Sequence, residues 1–197
     1  MGRKKSYCRE ELLEKALDIF RIHGFAGTST QMLAENLGLN KFSLYAEFSN
    51  KQGLFEAVLK LYNDKIVERN FTPLESPDSG IEEIKSLLTF FKNAIDSPVS
   101  GKGCLFCNSA VEFGANDPTG TSFIKNYFKK ISQAYLKSLS NAKSSGRVIE
   151  SIDLNESSDY LTATTLGLFV MIRAKAPAII VKNSVKEAKR YLDTICI

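Results

Sequence analysis

The chain has 197 residues, of which 44% are apolar, and a formal net charge of +4 at pH 7. That length accommodates one small and one larger domain, each with its own core, and no uninterrupted apolar run approaches the roughly 20 residues needed to span a bilayer. So small a charge excludes a polybasic nucleic-acid binder working by charge alone, and a soluble protein with no membrane partner is expected.

The start of the chain, Met1 to Arg9, is basic but lacks the apolar core of a signal peptide. A cytoplasmic chain is therefore expected, with Cys8, Cys104, Cys107 and Cys196 reduced rather than paired. Arg3, Lys4 and Lys5 form a short arm that reads either as a solvated terminus or as a contact to a phosphate or minor groove. From Glu11 to Ile22, Leu13, Leu17 and Phe20 form a stripe with Leu12, Ala16 and Ile19 beside it, the pattern of a helix with one buried face, ended by Gly24. His23, the only histidine, has no partner at a ligand spacing, so a structural place is expected for it and no metal or other cofactor is assigned.

Thr28 to Lys51 reads as a helix-turn-helix. Ser29 can cap a short helix whose apolar face is Leu33, Ala34 and Leu37, and Gly38 can close it in the left-handed conformation. Asn40 then caps a second helix from Lys41 to about Phe48. Leu44 and Phe48 would be buried, leaving Lys41, Phe42, Ser43 and Tyr45 on the exposed side, as a recognition helix is divided when it enters a major groove.

Ser49 and Gln52 have the spacing of a capping box that would start a fourth helix running to about Arg69, with Leu54, Phe55, Val58, Leu59, Leu61, Tyr62 and Ile66 as a broad apolar face. Asn70 to Gly80, with Pro73 and Pro77, reads as a loop. Ile84, Leu87, Leu88, Phe91 and Ile95 then repeat at helical spacing until Ser97-Pro98. Gly101-Lys102-Gly103 is a turn without the rest of a phosphate-loop pattern. A helix from Gly103 to Phe113 follows, and Asn116-Asp117-Pro118 reads as the start of a long helix lined by Phe123, Tyr127, Ile131 and Ala134, with Phe128 and Tyr135 next to them and Gly146 just beyond its end.

Cys104 and Cys107 form a CxxC. Zinc wants four ligands, and no second pair is present; a thioredoxin-type site wants a βαβ unit, which is missing too. Plain packing and a regulatory thiol both remain, the second because a cysteine at a helix start, after Lys102, favours thiolate. Asn155 reads as the cap of an eighth helix through Tyr160, Leu161, Thr164, Leu168 and Met171, with small Ala163, Gly167 and Ala174. Ser184 and Glu187 read as a capping box opening a ninth, with Val185, Ala188, Leu192 and Ile195 on one stripe; Pro177 to Lys182 would be an apolar connection. We expect these two helices to form a two-fold, four-helix dimer seam through Leu161, Thr164, Gly167, Leu168, Met171, Val185, Ala188, Leu192 and Ile195. No base, nucleophile and orienting group are spaced together, so no enzyme is expected.

The helix at Leu12 to Phe20, His23-Gly24-Phe25, Thr28-Ser29-Thr30, Leu33-Ala34, Gly38-Leu39, Leu44-Tyr45, Phe48 and Lys51 together resemble the DNA-binding domain of TetR-family transcriptional regulators. The Gly-Cys-Leu start at Gly103, followed by Ala110 and Glu112, is similar to the sixth helix of one subgroup of that family. The resemblance implies an all-α bacterial homodimer of about nine helices, with a helix-turn-helix head at 1–52, a connecting helix at about 50–69 and a regulatory and dimerisation body at 53–197. It implies binding to double-stranded operator DNA, with repression the expected outcome. It also implies DNA contacts from Ser29, Thr30, Gln31, Asn40, Lys41, Phe42, Ser43, Tyr45 and Lys51, of which Tyr45 and Lys51 would meet phosphate and Gln31, Lys41, Phe42 and Ser43 base edges. An apolar or aromatic effector is expected in a cavity among helices five to eight, lined by some of Phe91, Cys104, Phe106, Cys107, Ala110, Phe113, Tyr127, Phe169 and Arg173. The alternatives are a thiol-based redox or electrophile sensor of the same fold using Cys104, and a helical adaptor without DNA, against which Lys41, Tyr45 and Lys51 argue.

Overall fold

The computed structural model describes residues 7–114 and 123–197; the arm of Arg3, Lys4 and Lys5 and the helix start at Asn116-Asp117-Pro118 lie outside those residues. The described residues are helical throughout apart from turns and one isolated antiparallel bridge, Val148 with Cys196. The head holds α1 (Arg9–His23), α2 (Thr30–Leu37) and α3 (Lys41–Phe48). A long rod follows: α4 (Lys51–Tyr62), a π-turn (Asn63–Val67) and α5 (Glu68–Glu75). The body adds α6 (Ile81–Ala94), α7 (Leu105–Phe113), α8 (Phe123–Ser144), α9 (Leu154–Arg173) and α10 (Ala178–Ile195). With the rod taken as one helix, this is the expected all-α arrangement of nine helices among the described residues.

The stripes read from the sequence are the buried ones. Leu12, Leu13, Ala16, Leu17 and Phe20 of α1 pack on Leu54, Phe55, Val58 and Leu59 of α4, and Ile84, Leu87, Leu88 and Phe91 of α6 lie in the same continuous core. Gly146, at φ 65°, follows the end of α8, where the Arg147 N–H returns to the Ala142 carbonyl at 2.9 Å.

Four boundaries differ from expectation. Ser49 does not start α4: it ends α3 at φ 66°, its N–H on the Tyr45 carbonyl at 2.8 Å, and Asn50 caps α4 by accepting the Gly53 N–H at 2.8 Å. The loop expected at 70–80 shrinks to its last few residues, because the rod runs through Pro73 to Glu75. Phe71 and Leu74 are almost fully buried, and at about 1.5–3 kcal/mol each they offset the roughly 3 kcal/mol that an interior proline costs. Asp153 rather than Asn155 caps α9, accepting from the Asn155 and Glu156 N–H groups at 2.8 and 3.0 Å; a carboxylate there also suits the helix dipole. Finally, α10 begins at Ala178, so Ser184 lies inside it: Val181 is fully buried and draws the apolar segment into the helix.

Candidate nucleic-acid interface and effector cavity

The helix-turn-helix is assembled from local bonds. Ser29 Oγ accepts the Met32 N–H at 3.1 Å and starts α2; Gly38, at φ 67°, ends it. The Leu39 N–H reaches back to the Ala34 carbonyl at 2.9 Å, and Asn40 Oδ1 accepts the Ser43 N–H at 2.8 Å to start α3. With Leu44 and Phe48 buried, α3 offers the remainder of its surface. Phe42 is 85% exposed, the most exposed large apolar side chain of the described residues. Lys41 is exposed beside it and Ser43 half-buried. Tyr45 is held in place from α2, its hydroxyl 2.9 Å from Thr30 Oγ1, while Gln31 is exposed and donates to Glu35 Oε1 at 2.9 Å.

Lys51 is placed differently from the others. Its ammonium turns inward, donating to the Phe25 and Thr28 carbonyls at 2.9 and 3.1 Å and lying 4.3 Å from the centroid of the Phe25 ring. It closes the loop between α1 and α2.

On its other side the head is strapped to the body. The Glu112 carboxylate on α7 accepts the Phe25 and Ala26 N–H groups at 2.9 and 2.6 Å. Arg173 on α9 donates to the Ile22 and Gly101 carbonyls, both at 2.6 Å, and Lys102 pairs with Asp18 at 3.0 Å. Arg21 donates from Nη2 to the Gly103 carbonyl. Phe113 packs edge-on against Phe25 and Phe55, at centroid distances of 5.7 and 5.9 Å. Gly24, at φ 74°, passes so close to α7 that a Cβ there would stand 2.8 Å from Glu112 Oε2.

The interior expected to form the pocket is mostly filled. Phe106 stacks on Tyr127 at 4.8 Å and meets Tyr62 edge-on at 5.6 Å, and Phe91 meets Phe169 at 4.8 Å; all are buried. Cys104 stands just before the first residue of α7 inside this cluster, its Sγ 3.1 Å from the Tyr127 hydroxyl, and is fully buried. Burial opposes a Cys104 thiolate, but hydrogen bonds from Cys107, Tyr127 and Tyr62 outweigh it and hold the thiol below its usual range, at about 6. The bond to Cys104, with burial, pushes Cys107 up instead.

A cavity of about 320 Å³ opens elsewhere, between α1, the π-turn, α5, α6 and α9. Arg21, Lys65, Ile66, Arg69, Asn70, Phe90, Ala94, Val99, Gly103, Phe169 and Ile172 line it. Of the expected pocket residues only Phe169 belongs to this cavity. Phe91, Cys104, Phe106 and Tyr127 are packed core, Phe113 and Arg173 serve the head-to-body strap, Ala110 is half-buried on α7, and Cys107 borders a separate cleft of about 290 Å³ with His23, Glu112 and Arg173. The cations were missed because they lie on the polar side of their helices. The spacing of four between Lys65 and Arg69 was the available signal for a shared face.

The expected dimer seam needs a similar correction. Leu161, Leu168, Val185, Ala188, Leu192 and Ile195 are buried within the protomer, where α10 packs on α6 and α9, and so cannot meet a partner. Thr164, Gly167 and Met171 do reach the surface, lining a groove of about 550 Å³ with Tyr160, Ile180, Asn183, Ser184 and Glu187. Among the described residues there is no group of histidine, cysteine and carboxylate side chains able to hold a metal, and no helix long and apolar enough to cross a membrane.

Residues 12–58 match the family model described as bacterial regulatory proteins, tetR family, and residues 80–185 that of a tetracyclin repressor-like C-terminal domain. The chain belongs to the TetR family. It is a TetR-type transcriptional regulator. It is 30% identical to the HTH-type transcriptional regulator YezE of Bacillus subtilis (strain 168), over 98% of this chain and 100% of that protein. It is 26% identical to the HTH-type transcriptional repressor ComR of Escherichia coli (strain K12), over 89% and 84%. Among solved structures, a cysteine mutant of the TetR family regulator CifR, complexed with 26bp double-strand operator DNA, shares the fold with a TM-score of 0.84 at 22% identity, covering 95% of this chain and 98% of that one.

Proposed function

We propose that two copies of this regulator bind a palindromic operator through α3 and repress transcription, and that a small apolar or aromatic effector releases them. The observation that carries this reading is the division of α3: Leu44 and Phe48 are buried, while Lys41, Phe42, Ser43 and Tyr45 stand outward, Phe42 at 85% exposure. A phenylalanine so exposed costs solvation unless it meets something, and a thymine methyl is a fitting partner. Ser29 and Asn40 fix the helix starts, while Thr30 and Tyr45, bonded to each other, face phosphate together. Gln31 and Lys41 read base edges. Lys51 acts through the loop it closes, so its contribution to phosphate binding comes from the α4 start and the position of Thr28. The operator complex of the similar CifR supports this docking.

The partner copy joins through the outer faces of α9 and α10, at Tyr160, Thr164, Gly167 and Met171 with Ile180 and Glu187, where small side chains allow close approach. Two heads so joined stand about one DNA turn apart, roughly 34 Å, and an effector favours a spacing that no longer matches one DNA face. The head is 1–52, with α4 passing the motion to the body at 53–197.

The test is binding of the purified protein to its own upstream DNA, read by fluorescence anisotropy, with light scattering for the dimer. Lys41→Ala is expected to relax base preference, and Lys51→Ala to weaken all sequences alike. Equal loss of specificity from both would refute that division of roles, and failure to bind any upstream fragment at low salt would favour a helical adaptor.

A further inference from the structure

We propose that the effector carries a carboxylate, a small organic acid with an apolar body seated in the cavity between α1 and α6, held by Arg21 and Arg69. The inference rests on the effector-release reading above and names the chemical class of that effector.

The cavity is apolar on one wall and cationic on the other. Phe90, Ala94, Phe169 and Ile172 form the first; Arg21, Lys65 and Arg69 stand on the second, and no carboxylate lines it. Lys65 is already neutralised by ion pairs with Glu10 and Glu14 at the surface. Arg69 has no ion pair among the described residues. Arg21 has no carboxylate partner there either: Asp18, on the same helix, pairs with Lys102 instead. Its Nε is the single buried side-chain nitrogen or oxygen of the described residues without a hydrogen-bond partner. With Nη2 on the Gly103 carbonyl and Nε covered by protein, Arg21 offers a carboxylate its charge and its remaining Nη1 N–H groups, while Arg69 offers an open guanidinium fork, the group that holds a carboxylate with two parallel bonds.

At about 320 Å³ the cavity stands at the lower end of the size range for small-molecule sites, which fits a single ring or a short chain rather than a large hydrophobic ligand. The wall is also built where the helix departs from α geometry. Lys65 and Ile66 lie in the π-turn Asn63–Val67, a feature that recurs at binding sites. Arg21 gives the site its coupling. Arg21 belongs to the head, and its Nη2 bond to the Gly103 carbonyl spans head and body. An acid engaging the same guanidinium acts directly on the strap that sets the angle of the head.

The experiment titrates the full-length protein calorimetrically with benzoate and octanoate, and in parallel with benzamide and octanol, then repeats each in the operator-release assay. At least one acid is expected to bind and release the operator, and its neutral counterpart to do neither. Arg69→Gln, at an exposed position free of structural bonds, is expected to weaken the acid roughly tenfold while leaving operator binding without ligand unchanged. Arg21→Lys, which keeps a charge but loses the Nη1 N–H groups, is expected to weaken it as well. Equal binding of acid and neutral counterpart overturns the proposal, as does an unaltered acid affinity in Arg69→Gln. A protein that binds its operator but neither acid also overturns it, leaving the operator reading intact; acid binding without operator binding tells against the operator reading instead.

Discussion

The two faces of the head are held by different means. The outward face is held within the head: its caps reach three residues, from Ser29 to Met32 and from Asn40 to Ser43, the Thr30 to Tyr45 bond spans fifteen, and the longest tie to α3, Tyr7 to Glu47, spans forty. The inward face joins residues far apart in the chain, 87 between Phe25 and Glu112 and 151 between Ile22 and Arg173. A face held within the head keeps its shape whatever the body does. The inward face is built on α7 and α9, so a shift of either helix would act on it first.

That contrast can be broken most strongly at Phe55, which is almost fully buried and meets Phe20, Phe25 and Phe113 at the junction. Phe55→Ala is expected to cost about 3–5 kcal/mol in urea denaturation. A cost below 1 kcal/mol would mean that head and body do not share a core.

A smaller effect separates strain from contact. Gly24 combines φ 74° with ψ 178°, a region open essentially to glycine alone, so Gly24→Ala is expected to cost about 1–3 kcal/mol. Part of that is displacement of Glu112 by the new methyl. In the double variant with Glu112→Ala the two losses should therefore sum to less than their separate values; strict additivity would place the whole cost in the backbone.

Beneath the inward face lies Cys104, at the start of the helix that carries Glu112 and Phe113. Its thiol is held at about 6 in the folded protein against an ordinary value of 9.0. Between those values the unfolded chain binds the extra proton, so stability rises with pH across the window and falls back as pH drops through 6. The melting temperature of the protein relative to Cys104→Ser is expected to climb from pH 6 to 9, with thiolate absorbance of the folded protein half developed already near pH 6. A flat difference would leave Cys104 as packing alone, without the ionisation a thiol sensor needs.

The smallest structural effect is expected on the outward face. Phe42→Ala removes a side chain that touches little, so stability should stay within about 0.5 kcal/mol while operator affinity falls. A melting temperature that drops in step with affinity would show that Phe42 supports the fold rather than the DNA contact.

Much of this was legible before any coordinates, and the residues that were not share a cause. Ser29, Gly38 and Asn40 announce the helix-turn-helix because a cap acts on neighbours two or three residues away. The resemblance implies a phosphate contact for Lys51, yet the carbonyls it satisfies lie 23 and 26 residues earlier, and no spacing rule reaches that far. For α10 the stripe of Val185, Ala188, Leu192 and Ile195 marked a buried face correctly but could not say whether the neighbour was α6 or a second copy.

The sequence alone determined the all-helical class, the head and its turn, and the buried side of most helices, since those follow from caps and periodicity along one stretch of chain. Only the tertiary structure decided that the rod runs through Pro73 and that the aromatic interior around Tyr127 is filled. It also placed the cavity beside Arg21 and turned the α9–α10 groove outward. Each of these depends on which faces meet across the fold, and a stripe of apolar residues records that a face is covered without recording by what.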